Sequence, residues 1–174
     1  MNILETGASC HVGGDEQPPG PAGFFAFADT MAQPETSRLV ALLAEDNPAD
    51  VLLVEEAITS YRLPLRLHVV RDGELAADYF KLAESDQSVP CPSLLILDLN
   101  LPKLSGKEVL QRVRSGVKCR NIPVLIITSS DLRGEREQLK MLGADRYFRK
   151  PIDYDQFLKI GLILRELIER IEPR

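Results

Sequence analysis

The chain has 174 residues, is 44% hydrophobic and 27% charged, and carries a formal net charge of -5. This is the composition of one globular domain with a real core and room for a tail. It argues against a nucleic-acid phosphate binder, which would usually show a basic excess, and no apolar run approaches the roughly 18–20 residues that span a bilayer.

Residues 1–37 hold Glu5, Asp15, Glu16, Asp29 and Glu35 but no Lys or Arg, so the whole negative excess sits there. They lack the basic and continuous apolar regions of a secretory signal. Gly13-Gly14 and Gln17-Pro18-Pro19-Gly20-Pro21 punctuate the stretch, which can bury too little apolar surface to offset its ordering entropy. The expectation is a disordered acidic, Gly/Pro-rich extension over 1–37 and a folded domain over 38–174. Within the extension, Phe24, Phe25 and Phe27 read as an unattached apolar cluster, and Met31 offers an alternative start.

The folded part alternates apolar runs with helical patterns. Residues 39–44 form a continuous apolar run, the first predicted strand. Asn47-Pro48 supplies a cap and a proline at the first helical position, opening a helix to about Tyr61. Residues 64–70 read as the second strand, and Asp72 caps a helix to about Glu84. Residues 93–97 are the third strand. Ser105, with Glu108 three residues later, has the form of a capping box opening the third helix. Residues 122–127 are the fourth strand, and Asp131 precedes a helix over 132–142 that stops at Gly143. A short fifth strand covers 146–148, and Asp153 precedes a last helix to about Ile171. Continuous apolar runs of this length suit strands buried on both faces of a parallel sheet. Five strands alternating with five helices predict an α/β fold, a doubly wound five-stranded parallel sheet with right-handed crossovers.

In such sheets function gathers at the carboxyl ends of the strands. Glu45-Asp46 follows the first strand, Asp98 the third, Thr128-Ser129-Ser130 the fourth and Lys150-Pro151 the fifth. Clustered carboxylates repel and need a cation, a shared proton or a metal. Oxygen ligands in a chain whose histidines are only His11 and His68 favour a hard ion, Mg2+. A metal, a hydroxyl and an ammonium around one free carboxylate make a workable phosphoryl acceptor. Taken singly, Lys150 reads as a surface lysine, Thr128 as a strand-end hydroxyl, Tyr147 as a packing residue and His68 as a satisfied strand histidine. Asp50 reads as a first-turn acid favoured by the helix dipole rather than a support for the site. Cys10, Cys91 and Cys119 are odd in number, far apart and without a C-x-x-C. That predicts no disulfide framework and no cysteine zinc site, only structural or idle thiols in a reducing cytoplasm.

Glu45-Asp46, Asp98, Thr128, Tyr147 and Lys150-Pro151 resemble, in type, order and spacing, the motif set of two-component response regulator receiver domains, over about residues 38–172. The run from Leu42 to Asp50 and the long segment 82–90 resemble the stand-alone regulators that partner phytochrome-type histidine kinases. The resemblance implies a flavodoxin-like receiver with Mg2+ as its cofactor. Asp98 would be the phosphoacceptor, supplied by a phosphohistidine on a sensor histidine kinase or by a phosphotransfer protein. Asp46 and Asp98 would ligate the metal directly, Glu45 through water and Asn100 through its backbone carbonyl. Lys150 would pair with Asp98 before transfer and with the phosphoryl oxygens afterwards. Thr128 would hydrogen-bond a phosphoryl oxygen, Tyr147 would be the switch that reports it, and Asn100 and Ser130 would tune dephosphorylation. The chain would assist its own phosphorylation and dephosphorylation without turning over a separate substrate. Ending at Arg174, it is expected to carry no output domain and to signal by protein contact, with no nucleic-acid or membrane partner. Two alternatives stand beside this reading. One is a degenerate receiver used only for docking. The other is an aspartyl-nucleophile α/β phosphohydrolase, whose usual second acid is here replaced by Asn100.

Phe157, Ile160, Leu164, Leu167 and Ile171 make one stripe on the last helix, widened by Leu158, Leu162, Ile163 and Ile168. The stripe exceeds the arc of about 100° that covers one sheet face. Either the helix packs deeper, or the fourth helix, fifth strand and last helix form a homodimer face.

Overall fold

In the computed structural model, residues 39–130 and 133–171 are described, Arg133 by its backbone alone. The predicted extension over 1–37, with its phenylalanines, Cys10 and Met31, lies outside the described residues, as do Asp131 and Leu132.

The five apolar runs become β1 (Leu39–Ala44), β2 (Leu65–Val70), β3 (Leu94–Asp98), β4 (Val124–Thr128) and β5 (Arg146–Arg149), all parallel in the order β2-β1-β3-β4-β5. β3 and β4 are buried at every residue. Their side chains alternate between two cores, as a period of two requires. Leu95, Leu97, Val124 and Ile126 face one side, while Leu94, Ile96, Leu125 and Ile127 face the other.

The helices are α1 (Pro48–Ser60), α2 (Gly73–Ser85), α3 (Gly106–Ser115), α4 (Arg133–Met141), α5 (Tyr154–Leu158) and α6 (Ile160–Ile171). Phe80 of α2, Val109 of α3 and Leu139 of α4 fill the first core, and Val54 of α1, Phe157 of α5 and Leu164 of α6 fill the second. Every start that local chemistry predicted within the described residues is capped. Asn47 accepts the Ala49 N–H at 3.0 Å, Asp72 that of Leu75 at 2.7 Å and Asp153 that of Gln156 at 2.9 Å. Ser105 and Glu108 close the capping box in both directions. Gly143, just past α4, takes φ +93°, a conformation a side chain would strain.

Two expectations need correction. The last helix is not continuous. At Lys159 the N–H bonds to Gln156 and the carbonyl accepts from Leu162, both across three residues, so the four-residue ladder is interrupted between α5 and α6. Nor are Cys91 and Cys119 idle thiols. Cys91 and Cys119 form a disulfide with Cα atoms 5.5 Å apart. Their separation of 28 residues hides the fact that the α2–β3 and α3–β4 loops are neighbours at the amino edge of the sheet. The inference of a reducing compartment from cysteine usage loses its ground accordingly.

The wide apolar stripe of the last helix is largely covered. Ile168 is buried, Leu158 and Ile163 pack against the second core, and Leu162 remains 51% exposed. No helix among the described residues is long and apolar enough to cross a membrane.

Candidate phosphoacceptor site

The strand order reverses between β1 and β3, and a crevice at the carboxyl ends follows from that reversal. Glu45 leaves β1 directly into it, tied by its N–H to the Val70 carbonyl at 3.0 Å. Its side chain is fully buried: one carboxylate oxygen accepts the Asn47 N–H at 3.1 Å and the other accepts from the Lys150 ammonium at 2.7 Å. Asp46, the next residue, is exposed at the rim.

Asp98 ends β3 and is 4% exposed. Its Oδ1 accepts the Asn100 N–H at 3.0 Å and its Oδ2 accepts from Lys150 at 2.6 Å. Behind it, α3 begins so close that a Cβ on Gly106 would lie 2.1 Å from the Asp98 carbonyl oxygen, and only glycine permits that approach. Lys150 follows β5 and is fixed by its N–H to the Thr128 carbonyl at 2.8 Å. An ammonium has three donors. Here all three go to carboxylates, the third being Asp50 at 2.8 Å.

That third partner corrects the reading of Asp50. It is not simply a first-turn acid; its side chain shares the lysine with Glu45 and Asp98. The available signal was position: Asp50 lies one helical turn beyond Asp46 in a helix that starts at the strand end. Lys103, in the β3–α3 loop with φ +66°, pairs with the buried α2 cap Asp72 at 2.6 Å and ties the loop carrying Asn100 to the start of α2. No local pattern announces that contact.

The electrostatics follow from the count of charges. One ammonium faces three carboxylates, with Asp46 as a fourth nearby. Burial pushes the Glu45 carboxyl up to about 7, against the lowering pull of Lys150. Burial alone would lower the Lys150 ammonium, but its hydrogen bonds to Asp50, Asp98 and Glu45 outweigh that and raise it. Glu45, Asp46 and Asp98 present oxygen atoms within 4.8 Å of one another. Three oxygen donors with surplus negative charge fit a hard divalent cation.

On the other flank Thr128 is completely buried, and its Oγ1 accepts the Ser130 N–H at 3.1 Å. The Ser130 carbonyl accepts the hydroxyl of half-buried Tyr147 at 2.8 Å, and the Arg136 guanidinium lies 5.6 Å from the centre of that ring. Ser130 therefore links Thr128 to Tyr147. The exposed Asn100 meets Asp98 through its backbone N–H.

Fold and site together define an α/β protein with a carboxylate cluster at its topological switch point that could hold a divalent cation. Residues 41–160 match the response regulator receiver domain family, and the chain belongs to that family. It is 32% identical over 116 residues to the probable methanogenesis regulatory protein FilR2 of Methanothrix harundinacea, covering 67% of this chain and 74% of that one. It is 37% identical over 91 residues to the response regulator Rcp1 of Synechocystis, covering 52% of this chain and 62% of that one. In structure it is similar to the phosphorylated cyanobacterial phytochrome response regulator RcpA, with TM-score 0.67, 31% identity, and coverage of 75% of this chain and 93% of RcpA. It is equally similar to the Mn(2+)-bound form of Rcp1, with TM-score 0.67, 29% identity, and coverage of 78% and 96%.

Proposed function

We propose that the chain is a cytoplasmic response regulator that accepts a phosphoryl group on Asp98. The observation that carries this is the Lys150 ammonium, held at 2.6 Å from an Asp98 carboxylate that, among the described residues, otherwise accepts only the Asn100 N–H. In the transfer, the N–P bond of a phosphohistidine breaks as an Asp98 oxygen bonds to phosphorus. Glu45, Asp46, Asp98 and the Asn100 carbonyl would hold Mg2+, which supplies charge neutralisation for the transferring oxygens. Lys150 holds Asp98 in place beforehand and turns to the phosphoryl oxygens afterwards, with Asp50 and Glu45 as its remaining anchors. Thr128 can donate its hydroxyl proton to a phosphoryl oxygen while still accepting from Ser130. Any inward shift of Thr128 is then felt at the Ser130 carbonyl and so by Tyr147, which biases two states of the α4–β5 face. Asn100 and Ser130 would tune the hydrolysis of the acyl phosphate.

The donor in this reading is a sensor histidine kinase or a phosphotransfer protein. The likeness to Rcp1 and RcpA, the latter described as a phytochrome response regulator, supports a phytochrome-type kinase. A homodimer face over α4, β5 and α6 belongs to the same reading, supported by Met141 at 80% and Leu162 at 51% exposure. Monomer alone in light scattering at high concentration, with and without a phosphate analogue, would remove that face from the account. The function itself is tested by phosphotransfer from autophosphorylated kinases, phytochrome-type ones included, to the native chain and to Asp98→Asn. Label is expected on the native chain only, and label retained by the variant overturns the assignment.

A further inference from the structure

The amino edge of the sheet carries chemistry that phosphoryl transfer does not use. Cys91 lies in the α2–β3 loop and Cys119 in the α3–β4 loop, with Cα atoms 5.5 Å apart, inside the range a disulfide spans. The two loops are also bound to each other without sulfur. The Glu84 carboxylate, in the last turn of α2, accepts the N–H groups of Val117 at 3.1 Å, Lys118 at 2.9 Å and Cys119 at 2.9 Å. In return the Lys118 ammonium donates to the carbonyls of Ala83 at 2.8 Å and Val89 at 2.9 Å. Opening the disulfide removes none of these contacts, so the thiols stay opposed and closure remains effectively intramolecular. The two sulfurs differ in access. Cys119 is 1% exposed, whereas Cys91 is only partly buried, packed at the margin of the core.

From this geometry we infer that Cys91 and Cys119 are a reversible redox pair, closed and opened by exchange with a low-molecular-weight disulfide such as oxidised glutathione. Cys91, the accessible sulfur, loses its proton and attacks the glutathione disulfide, expelling one glutathione thiolate and forming a mixed disulfide. Cys119 then loses its proton and attacks the Cys91 sulfur, expelling the second glutathione. Two protein thiols are oxidised, one glutathione disulfide is reduced, and the two protons pass to the two departing thiolates. The pair closes a loop of 28 residues across the edge opposite Asp98. Its oxidation state governs the resistance of that edge to unfolding and leaves the phosphoacceptor residues in place.

The test uses the full chain carrying Cys10→Ser, equilibrated in glutathione buffers from fully reduced to fully oxidised and read by intact mass, free-thiol titration and thermal unfolding. Expected is the loss of two hydrogens and both thiols on oxidation, reversed on reduction, with Tm on the order of 10 °C higher when closed. Adding Cys119→Ser should arrest the reaction with one glutathione on Cys91, and Cys119→Ala serves the same purpose should the serine prevent folding. Adding Cys91→Ser instead should leave Cys119 unmodified. Thiols that stay free in excess oxidised glutathione, stable adducts in place of ring closure, an adduct on Cys119 in the Cys91→Ser chain, or equal Tm in both states overturns the proposal.

Discussion

The two edges of the sheet solve the same problem in opposite ways. At the amino edge the charged side chains of Glu84, Lys118 and Arg114, the first two exposed and the third partly buried, find their partners within the chain. Glu84 takes three backbone N–H groups and Lys118 takes loop carbonyls. The Arg114 guanidinium donates to the carbonyls of Gly143, Arg120 and Ile122 and pairs with Asp145 at 3.1 Å. At the carboxyl edge one ammonium is shared among Glu45, Asp50 and Asp98, and negative charge is left over. A group with all its partners inside the fold contributes to holding it. A cluster with surplus charge needs something from outside to complete it, and that asymmetry marks the functional edge more clearly than any single residue.

Removing the central cation at each edge breaks the comparison most directly. Lys150→Met leaves Glu45 and Asp98 buried without a counter-charge and should cost about 3 kcal/mol of metal-free stability. Arg114→Met strands several carbonyls and should cost about 2 kcal/mol. Urea denaturation with and without Mg2+ separates them, because the ion should recover part of the first loss and none of the second.

The Glu45 carboxyl sharpens the same contrast through pH. Its folded value near 7 lies above the ordinary 4.5, so the folded state binds the extra proton between those values. Metal-free stability should therefore fall as pH rises from about 4.5 to 7, by about 3 kcal/mol at most from this group, and Glu45→Gln should flatten that slope. Metal binding requires the ionised carboxylate. Mg2+ affinity measured by calorimetry should be level above pH 7 and weaken up to about tenfold per unit below it. A pH-independent affinity between 6 and 8 contradicts the role given to Glu45.

The smallest effect expected is at the link between site and outer face. Tyr147→Phe removes the hydroxyl that bonds to the Ser130 carbonyl and should cost about 1 kcal/mol or less. Phosphoryl acceptance should persist, while the chemical-shift response of α4 and β5 to phosphorylation weakens.

What could be read from the chain alone divides along physical lines. The strands were legible because unbroken apolar runs are what a sheet covered on both faces requires. The starts of α1, α2, α3 and α5 were legible because a cap is a rule over three or four residues. Convergence of Glu45, Asp46, Asp98 and Lys150 followed from parallel strand ends sharing an edge. The rest depends on contacts between segments far apart in the chain. Asp50 and Lys150 are 100 residues apart, and Cys91 and Cys119 are 28 apart. Asp72 looked like a cap and is one, but its pairing with Lys103 depends on how two loops meet. The break at Lys159 is a choice between hydrogen-bond ladders that periodicity does not distinguish.

The most direct measurement is the intact mass of the chain after incubation with acetyl phosphate and Mg2+, with the modified residue located by peptide mapping. The expected result is a gain of one phosphoryl group at Asp98, lost when Mg2+ is chelated beforehand and absent from Asp98→Asn. A gain that survives in Asp98→Asn, or a native chain that gains nothing while binding Mg2+ normally, contradicts it.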